Sequence, residues 1–421
     1  MGQILKKNKI SKINKKSAYN FLNIAIIKLL NIFSKVFVVG YLIRTLGDLN
    51  YGVLTWVDSI IQYFIIFINF GFDLYAAKYI VETENNQYKK NQIISSIYYI
   101  KSFIFFVSFI LMSLMTFNQQ IYIYKDLLFL MLLFAIGEIL NPLWYFQGVE
   151  KMHKITVTTT IGKVLLLLAT LFFIKKQNDT IYYILFLVSI NALTGYVGYY
   201  LMKKDCNFKF IRVPIGNLKK YFKESYLFFL GRMSMFTFNL GTVFLIGYSF
   251  QKELVSIYDI SIKIIFIFII PYEVLQQALF PILVKGTSNK VIKNLILFTL
   301  LSSVIITISI LLFSKHLLIL FAGNELLNNL YVLKILTFLI IPVSLSLIYA
   351  NTIMVAKGFF KEFNSTLIIS SIFYIGSLAA LYFTNNWSFV NVIVARVVAD
   401  IFLIGIRMYI CRKKIYNEKY T

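Results

Sequence analysis

Histidine and cysteine each occur only twice in this chain of 421 residues, proline only five times, and charged side chains make up only 14% of it. Cys206, Cys411, His153 and His316 stand too far apart to form a zinc or disulfide pattern. Metalloprotease, phosphate-loop and nucleophile-elbow strings are all absent. Soluble domains carry roughly 25% charged residues, so the shortage of charge excludes a water-soluble globule, and with it fibrous and disordered chains. No stretch is polar enough for a sizeable domain outside a membrane.

Apolar residues make up 59% of the chain, and the mean hydropathy is +0.76. Windows of about 20 residues are the length that crosses a bilayer. They predict an all-α integral membrane protein with 12 transmembrane helices. The first six spans fall near 19–43, 52–80, 93–117, 127–148, 155–174 and 181–202. The other six fall near 225–250, 254–283, 294–314, 328–356, 365–384 and 388–410. The basic start of the chain, Lys6 to Lys16, precedes an apolar run longer than a signal-peptide core and is expected to stay as a cytoplasmic tail.

Lys and Arg number 42 against 18 Asp and Glu, a formal net charge of +24. Their distribution needs no nucleic acid. With the N-terminus inside, the expected cytoplasmic segments hold 26 of the basic residues and the outside loops hold 6. By the positive-inside rule both termini are then cytoplasmic. The most basic connection, 203–224, carries Lys203, Lys204, Lys209, Arg212, Lys219, Lys220 and Lys223. It divides the chain into a tail (1–18), a six-helix lobe (19–202), the linker, a second six-helix lobe (225–410) and a C-terminal tail (411–421). For the linker, anchorage on anionic lipid competes with collection of an anionic substrate.

Ionisable groups at bilayer depth cost at least ~2.5–3.5 kcal/mol each, so they face a cavity, a partner or a pathway. Lys28, Asn31 and Lys35 share one helix face, as do Asp58, Gln62, Asn69 and Asp73. Ser225, Arg232 and Asn239 repeat at seven-residue spacing. Ser256, Asp259 and Lys263 align, as do Arg396, Asp400 and Arg407. Asp259–Lys263 and Arg396–Asp400 have the i,i+4 spacing of internally neutralised struts, while Lys78 and Arg407 lie where long side chains snorkel to the interface. Lys28, Lys35 and Arg232 have no acid within one turn, which predicts a water-filled cavity. The spans hold 10 basic and 6 acidic residues, so that cavity would attract anions. Short outside loops and the lack of a suitable carboxylate pair argue against a membrane glycan polymerase or glycosyltransferase.

Span four ends in Asn141-Pro142-Leu143-Trp144-Tyr145-Phe146-Gln147-Gly148-Val149-Glu150-Lys151-Met152. That string resembles the signature of bacterial polysaccharide flippases, the Wzx-type O-antigen and repeat-unit translocases of the multidrug/oligosaccharidyl-lipid/polysaccharide exporter superfamily. Asn69 to Lys78, Val332 to Leu336 and Gly358 to Lys361 are similar to the same family. The resemblance implies two six-helix bundles forming a V around a central cavity lined by helices one, two, seven and eight. It implies a substrate of undecaprenyl-pyrophosphate-linked oligosaccharide, moved from the cytoplasmic to the periplasmic leaflet of the bacterial inner membrane by alternating access. A polysaccharide polymerase and a chain-length regulator are the partners it suggests.

On this reading Lys28, Lys35, Arg232 and Lys263 hold the diphosphate, and Asn31 and Asn239 meet the sugars. Lysine stands where relatives often place arginine, which weakens the case for a bidentate phosphate clamp. No cofactor is expected; Asp58, Asp73 or Asp259 is a candidate for a coupling proton or sodium ion. Pro142 and Gly148 point to a structural role for the span-four string, against a gating role for Gln147 or Glu150. The competing functions are multidrug or cation export, which favours an acidic cavity, and peptidoglycan-precursor flipping, which normally adds two helices. Reporter fusions after residues 90 and 210 are expected to score cytoplasmic and those after 178 and 320 periplasmic. Opposite scores at 90 and 210 would break the two-lobe scheme.

Overall fold

A computed structural model describes residues 36–83, 86–284 and 289–417, apart from a few side chains within the helices. Hydrocarbon offers no partner for a backbone N–H or C=O, so the apolar windows satisfy their backbones internally as helices. No strand occurs among the described residues. The helices are α1 (Val36–Asn69, interrupted by a non-helical Gly47 at φ 82°), α2 (Phe72–Glu82), α3 (Gln87–Met115), α4 (Lys125–Gly148), α5 (Met152–Phe173) and α6 (Gln177–Cys206). A bent pair, Ile215–Ser234 with Thr237–Ser249, forms α7. Then follow α8 (Lys252–Gln277), α9 (Lys290–Ala322), α10 (Leu327–Val355), α11 (Phe360–Phe383) and α12 (Phe389–Lys414). Ten of these are long and apolar enough to cross a bilayer, or eleven with the bent pair. They match eleven of the twelve expected spans; most of the first, 19–43, lies outside the described residues.

The second expected span, 52–80, is not continuous. Its helix ends at Asn69, Phe70 and Gly71 take left-handed backbone angles (φ 41° and 74°), and α2 starts at Phe72. Glycine is required at the second position, because a Cβ on Gly71 would lie 2.8 Å from the Phe229 nitrogen.

The contacts define two compact units that differ from the 19–202 and 225–410 halves of the sequence. One comprises Thr45–Val255; the other joins the stretch ending at Arg44 to Ser256–Thr421. One contact within the second unit is made at a helix end. Arg44 donates to the carbonyls of Ile319 and Leu320, at 3.2 and 2.8 Å, in the last turn of α9. The Ile319 carbonyl also accepts from the Gly323 N–H at 3.0 Å, so Arg44 adds to the bonding at this helix end, where a cation also suits the helix dipole. Gly40 lets the backbones touch, since a Cβ would sit on the Phe321 oxygen.

Within Thr45–Val255, α4 and α6 cross at glycine. A Cβ on Gly195 would lie 2.3 Å from the Gly137 carbonyl oxygen, and one on Gly137 would lie 2.5 Å from the Asn191 oxygen. Small residues replace the hydrophobic effect as the means of holding helices together in lipid, because they allow close van der Waals packing. The outer faces of α5 and α6 are apolar, with Val157, Leu165, Phe172 and Leu193 exposed. Backbone cannot retreat as a flexible side chain can. Gly195→Leu is therefore expected to cost at least about 1–3 kcal/mol of overpacking, read as a lower melting temperature in detergent, whereas Leu193→Ala on the exposed face should leave melting nearly unchanged.

Candidate functional site

The unit Thr45–Val255 buries a group of charges around the break between α1 and α2. Lys101 on α3 is 1% exposed. Its Nζ donates to Asn69 Oδ1 at 2.8 Å and to the Glu138 carbonyl oxygen at 3.3 Å. Asp73 and Glu138 attract it, and Arg232 repels it. Arg232 on α7 donates to Asp73 Oδ2 at 2.7 Å. Asn69 and Asn191 lie within hydrogen-bonding reach of the Glu138 carboxylate. Two cations and two anions thus meet with amides filling the gaps. At this depth such matching is what makes ionised groups tolerable.

The left-handed step at Phe70–Gly71 builds this group. It ends α1 with Asn69 at Lys101 and starts α2 with Asp73 at Arg232. Phe70, 2% exposed, stacks on Phe222 (centroids 4.1 Å, planes 20° apart) and on Phe229 (4.7 Å, 11°). That contact helps offset a backbone conformation that costs a non-glycine residue roughly 1–3 kcal/mol. One turn further, the hydroxyls of Tyr75 and Tyr79 both donate to Glu224 Oε2, at 2.5 and 2.7 Å.

The span-four string packs directly on this region. A Cβ on Gly148 would meet the Ala77 carbonyl oxygen at 2.7 Å and Ile80 at 3.1 Å. Trp144, Tyr145 and Phe146 are buried. The Tyr145 hydroxyl donates to Asp205 Oδ2 at 2.8 Å, and Lys151 and Lys154 bind the same carboxylate at 2.9 and 2.6 Å. Gln147 and Glu150 are exposed, and Glu150 has a left-handed backbone (φ 57°).

The remaining sequence candidates are dispersed. Asp58 accepts from Gln62 at 3.1 Å, and Asn239 sits in the wide turn Thr237–Gly241 of α7. In the other unit Lys263 pairs with Asp259, and Arg396 with Asp400. Arg407 does not snorkel: it is buried and donates to the Ser346 hydroxyl at 2.6 Å, the Ser346 carbonyl at 3.1 Å and Thr366 Oγ1 at 3.3 Å. Lys28, Asn31 and Lys35 lie outside the described residues. Sequence reasoning brought out Asp73 and Arg232 separately and missed Lys101, Glu138 and Glu224. The signal available for Lys101 was a lone lysine deep in an apolar span.

A family model described as "Polysaccharide biosynthesis protein" matches residues 17–287. The chain belongs to this family. An Escherichia coli (strain K12) protein named "Putative O-antigen transporter" is 21% identical over 230 residues, which is 54% of this chain and 55% of its own length. A Shigella dysenteriae protein of the same name is 24% identical over 230 residues, covering 54% and 57%. The match spans little more than half the length of these curated relatives. Two solved structures share the fold. One is an inward-facing multidrug resistance MATE family transporter of the MOP superfamily (TM-score 0.69, 13% identity, 93% of this chain and 95% of that one). The other is the lipid II flippase MurJ in an inward closed conformation (TM-score 0.68, 14% identity, 92% and 86%).

In this member of the polysaccharide biosynthesis family, Lys101 and Glu138 should behave as a coupled pair. Lys101→Met removes one cation from a buried group, and breaking a buried pair costs about 3–5 kcal/mol. Adding Glu138→Gln restores the charge match, so the double variant should melt above the Lys101→Met single variant. Strictly additive losses in melting temperature would show that the two do not interact.

Proposed function

We propose that this chain is a translocase for lipid-linked oligosaccharide repeat units. It moves undecaprenyl-pyrophosphate-linked oligosaccharide from the cytoplasmic to the periplasmic leaflet of the bacterial inner membrane, with both termini in the cytoplasm. The carrying observation is the family match over 17–287, joined to relatives whose names are those of O-antigen transporters. The likeness to a lipid II flippase supports the fold that such transport needs. A diphosphate and its sugars cannot cross hydrocarbon unaided, whereas a prenyl tail can remain in lipid, so the protein has only the polar head to carry.

The Asp73–Arg232 pair suggests how a head group is accepted. The Arg232 side chain is 39% exposed and that of Asp73 14%, so the cation faces outward and its partner lies behind it. An incoming diphosphate carries more negative charge than one carboxylate and can take over the guanidinium. Asp73 then stays beside Lys101, so the site is not left with an unmatched acid. Lys28, Lys35 and Lys263 remain candidate phosphate contacts, and Asn31 and Asn239 candidate sugar contacts. Alternating access follows from exchange between these partners, with Asp58, Asp73 or Asp259 as the group that binds a coupling proton or sodium ion. Gln147 and Glu150 are candidates for the inward mouth, and a polymerase and a chain-length regulator would receive the product.

Proteoliposomes loaded with a fluorescent polyprenyl-diphosphate oligosaccharide test this reading. Arg232→Ala is expected to slow flipping about tenfold, which corresponds to about 1.4 kcal/mol, and Arg232→Glu more, since repulsion replaces attraction. Wild-type vesicles that export organic cations while leaving the glycolipid in place would overturn the proposal. A normal rate for Arg232→Glu would remove Arg232 from it.

A further inference from the structure

The basic linker is not a loose tether. α6 ends at Asn207, which takes a left-handed backbone (φ 48°), and the chain then runs extended along α3. Gln87 Nε2 donates to the Cys206 carbonyl at 2.7 Å, and Ile211 N donates to Ser95 Oγ at 3.2 Å. Phe208 and Phe210 pack on Tyr98. At Pro214 the chain turns into α7. Between linker, α3 and the start of α7 this leaves a cavity of about 740 Å³.

The walls of the cavity are apolar, made by Tyr99, Ile100 and Phe103 of α3 with Val213, Leu218 and Phe222. Arg212 and Lys219, both exposed, supply its charge. Among the described residues no acidic side chain lines it. Phe103, 68% exposed, and Phe222, 40% exposed, open it toward the surface that lipid covers. Hydrocarbon lining joined to two cations complements an amphiphile that has apolar chains and an anionic head. A neutral lipid would fill the apolar walls but leave both cations without a counter-charge.

We propose that this groove is a binding site for an anionic glycerophospholipid of the leaflet that adjoins the linker. An acyl chain lies against Phe103 and Leu218, and the phosphate is held by Arg212 and Lys219. The site follows from the membrane-spanning fold and does not depend on what the chain transports. Phe222 also carries one face of the Phe70 stack, so the bound lipid would rest against the residue that supports the α1–α2 break.

Native mass spectrometry of the full-length protein, released from detergent with defined lipids, tests the proposal. Wild type is expected to retain phosphatidylglycerol over phosphatidylcholine by about thirtyfold, equivalent to about 2 kcal/mol from the two basic residues near the headgroup. Arg212→Ala/Lys219→Ala should abolish most of that preference. Lys203→Ala/Lys204→Ala removes the same charge outside the cavity and should keep it. Leu218→Trp fills the groove while keeping both cations and should lower retention of either lipid. Equal losses in the two lysine/arginine pairs would overturn the proposal in favour of diffuse attraction, as would full retention by Leu218→Trp. Displacement of phosphatidylglycerol from wild type by an equimolar polyprenyl diphosphate would also overturn it, assigning the groove to a prenyl carrier.

Discussion

A charge inside hydrocarbon must be matched, and much of this protein's architecture follows from that demand. Lys101 is 1% exposed in the apolar stretch of α3. It is tolerable because Asn69, Asp73 and Glu138 converge on it from three other helices, two of them joined at the Phe70–Gly71 break. Convergence in turn requires that α1 stop at Asn69, that Gly71 permit a left-handed turn, and that α7 deliver Arg232 to Asp73. The other unit uses nearer partners for the same purpose. Asp400 lies one turn from Arg396 on the same helix, and Arg407 is held by two hydroxyls and a carbonyl.

The packing gives the family strings a physical meaning. Asn69–Lys78 and Asn141–Met152 are separated by more than sixty residues, yet they touch through Gly148, Ala77 and Ile80. Pro142 ends one helical segment and begins the next, and it sits against Gly198 of α6. The aromatic run behind it is buried core, with Tyr145 reaching out to Asp205. In Gly148 and Pro142 these strings therefore read as a packing joint, while the two exposed polar members, Gln147 and Glu150, are free to serve another purpose.

The membrane class, the positions of eleven spans and the i,i+4 pairs were legible in the sequence because each depends on local composition and spacing. The helix break at Phe70–Gly71 was harder to read. Its flanks are as apolar as the rest of the span, and the cause lies in Phe222 and Phe229, about 150 residues away. Arg232 looked unpartnered because periodicity on one helix cannot show an acid on another. Arg407 was placed at the interface from its position near a helix end, but depth is set by neighbours, and Ser346 and Thr366 keep it inside. The grouping of the first segment with Ser256–Thr421 includes contacts that no local pattern shows, among them Arg44 on two carbonyls about 275 residues away.

The group of four charges also has an order in time. A ribosome makes Asp73 first, then Lys101, then Glu138 and finally Arg232, and each reaches the membrane insertion machinery in that sequence. The running charge of the growing group is minus one, zero, minus one and zero. At no stage of synthesis does the half-made chain hold more than one uncompensated charge among these four. Had the two cations or the two acids come consecutively at the start, a doubly charged intermediate would have waited in the bilayer for partners not yet translated. The alternation in sequence lets each cation enter lipid when an acid already made is waiting for it.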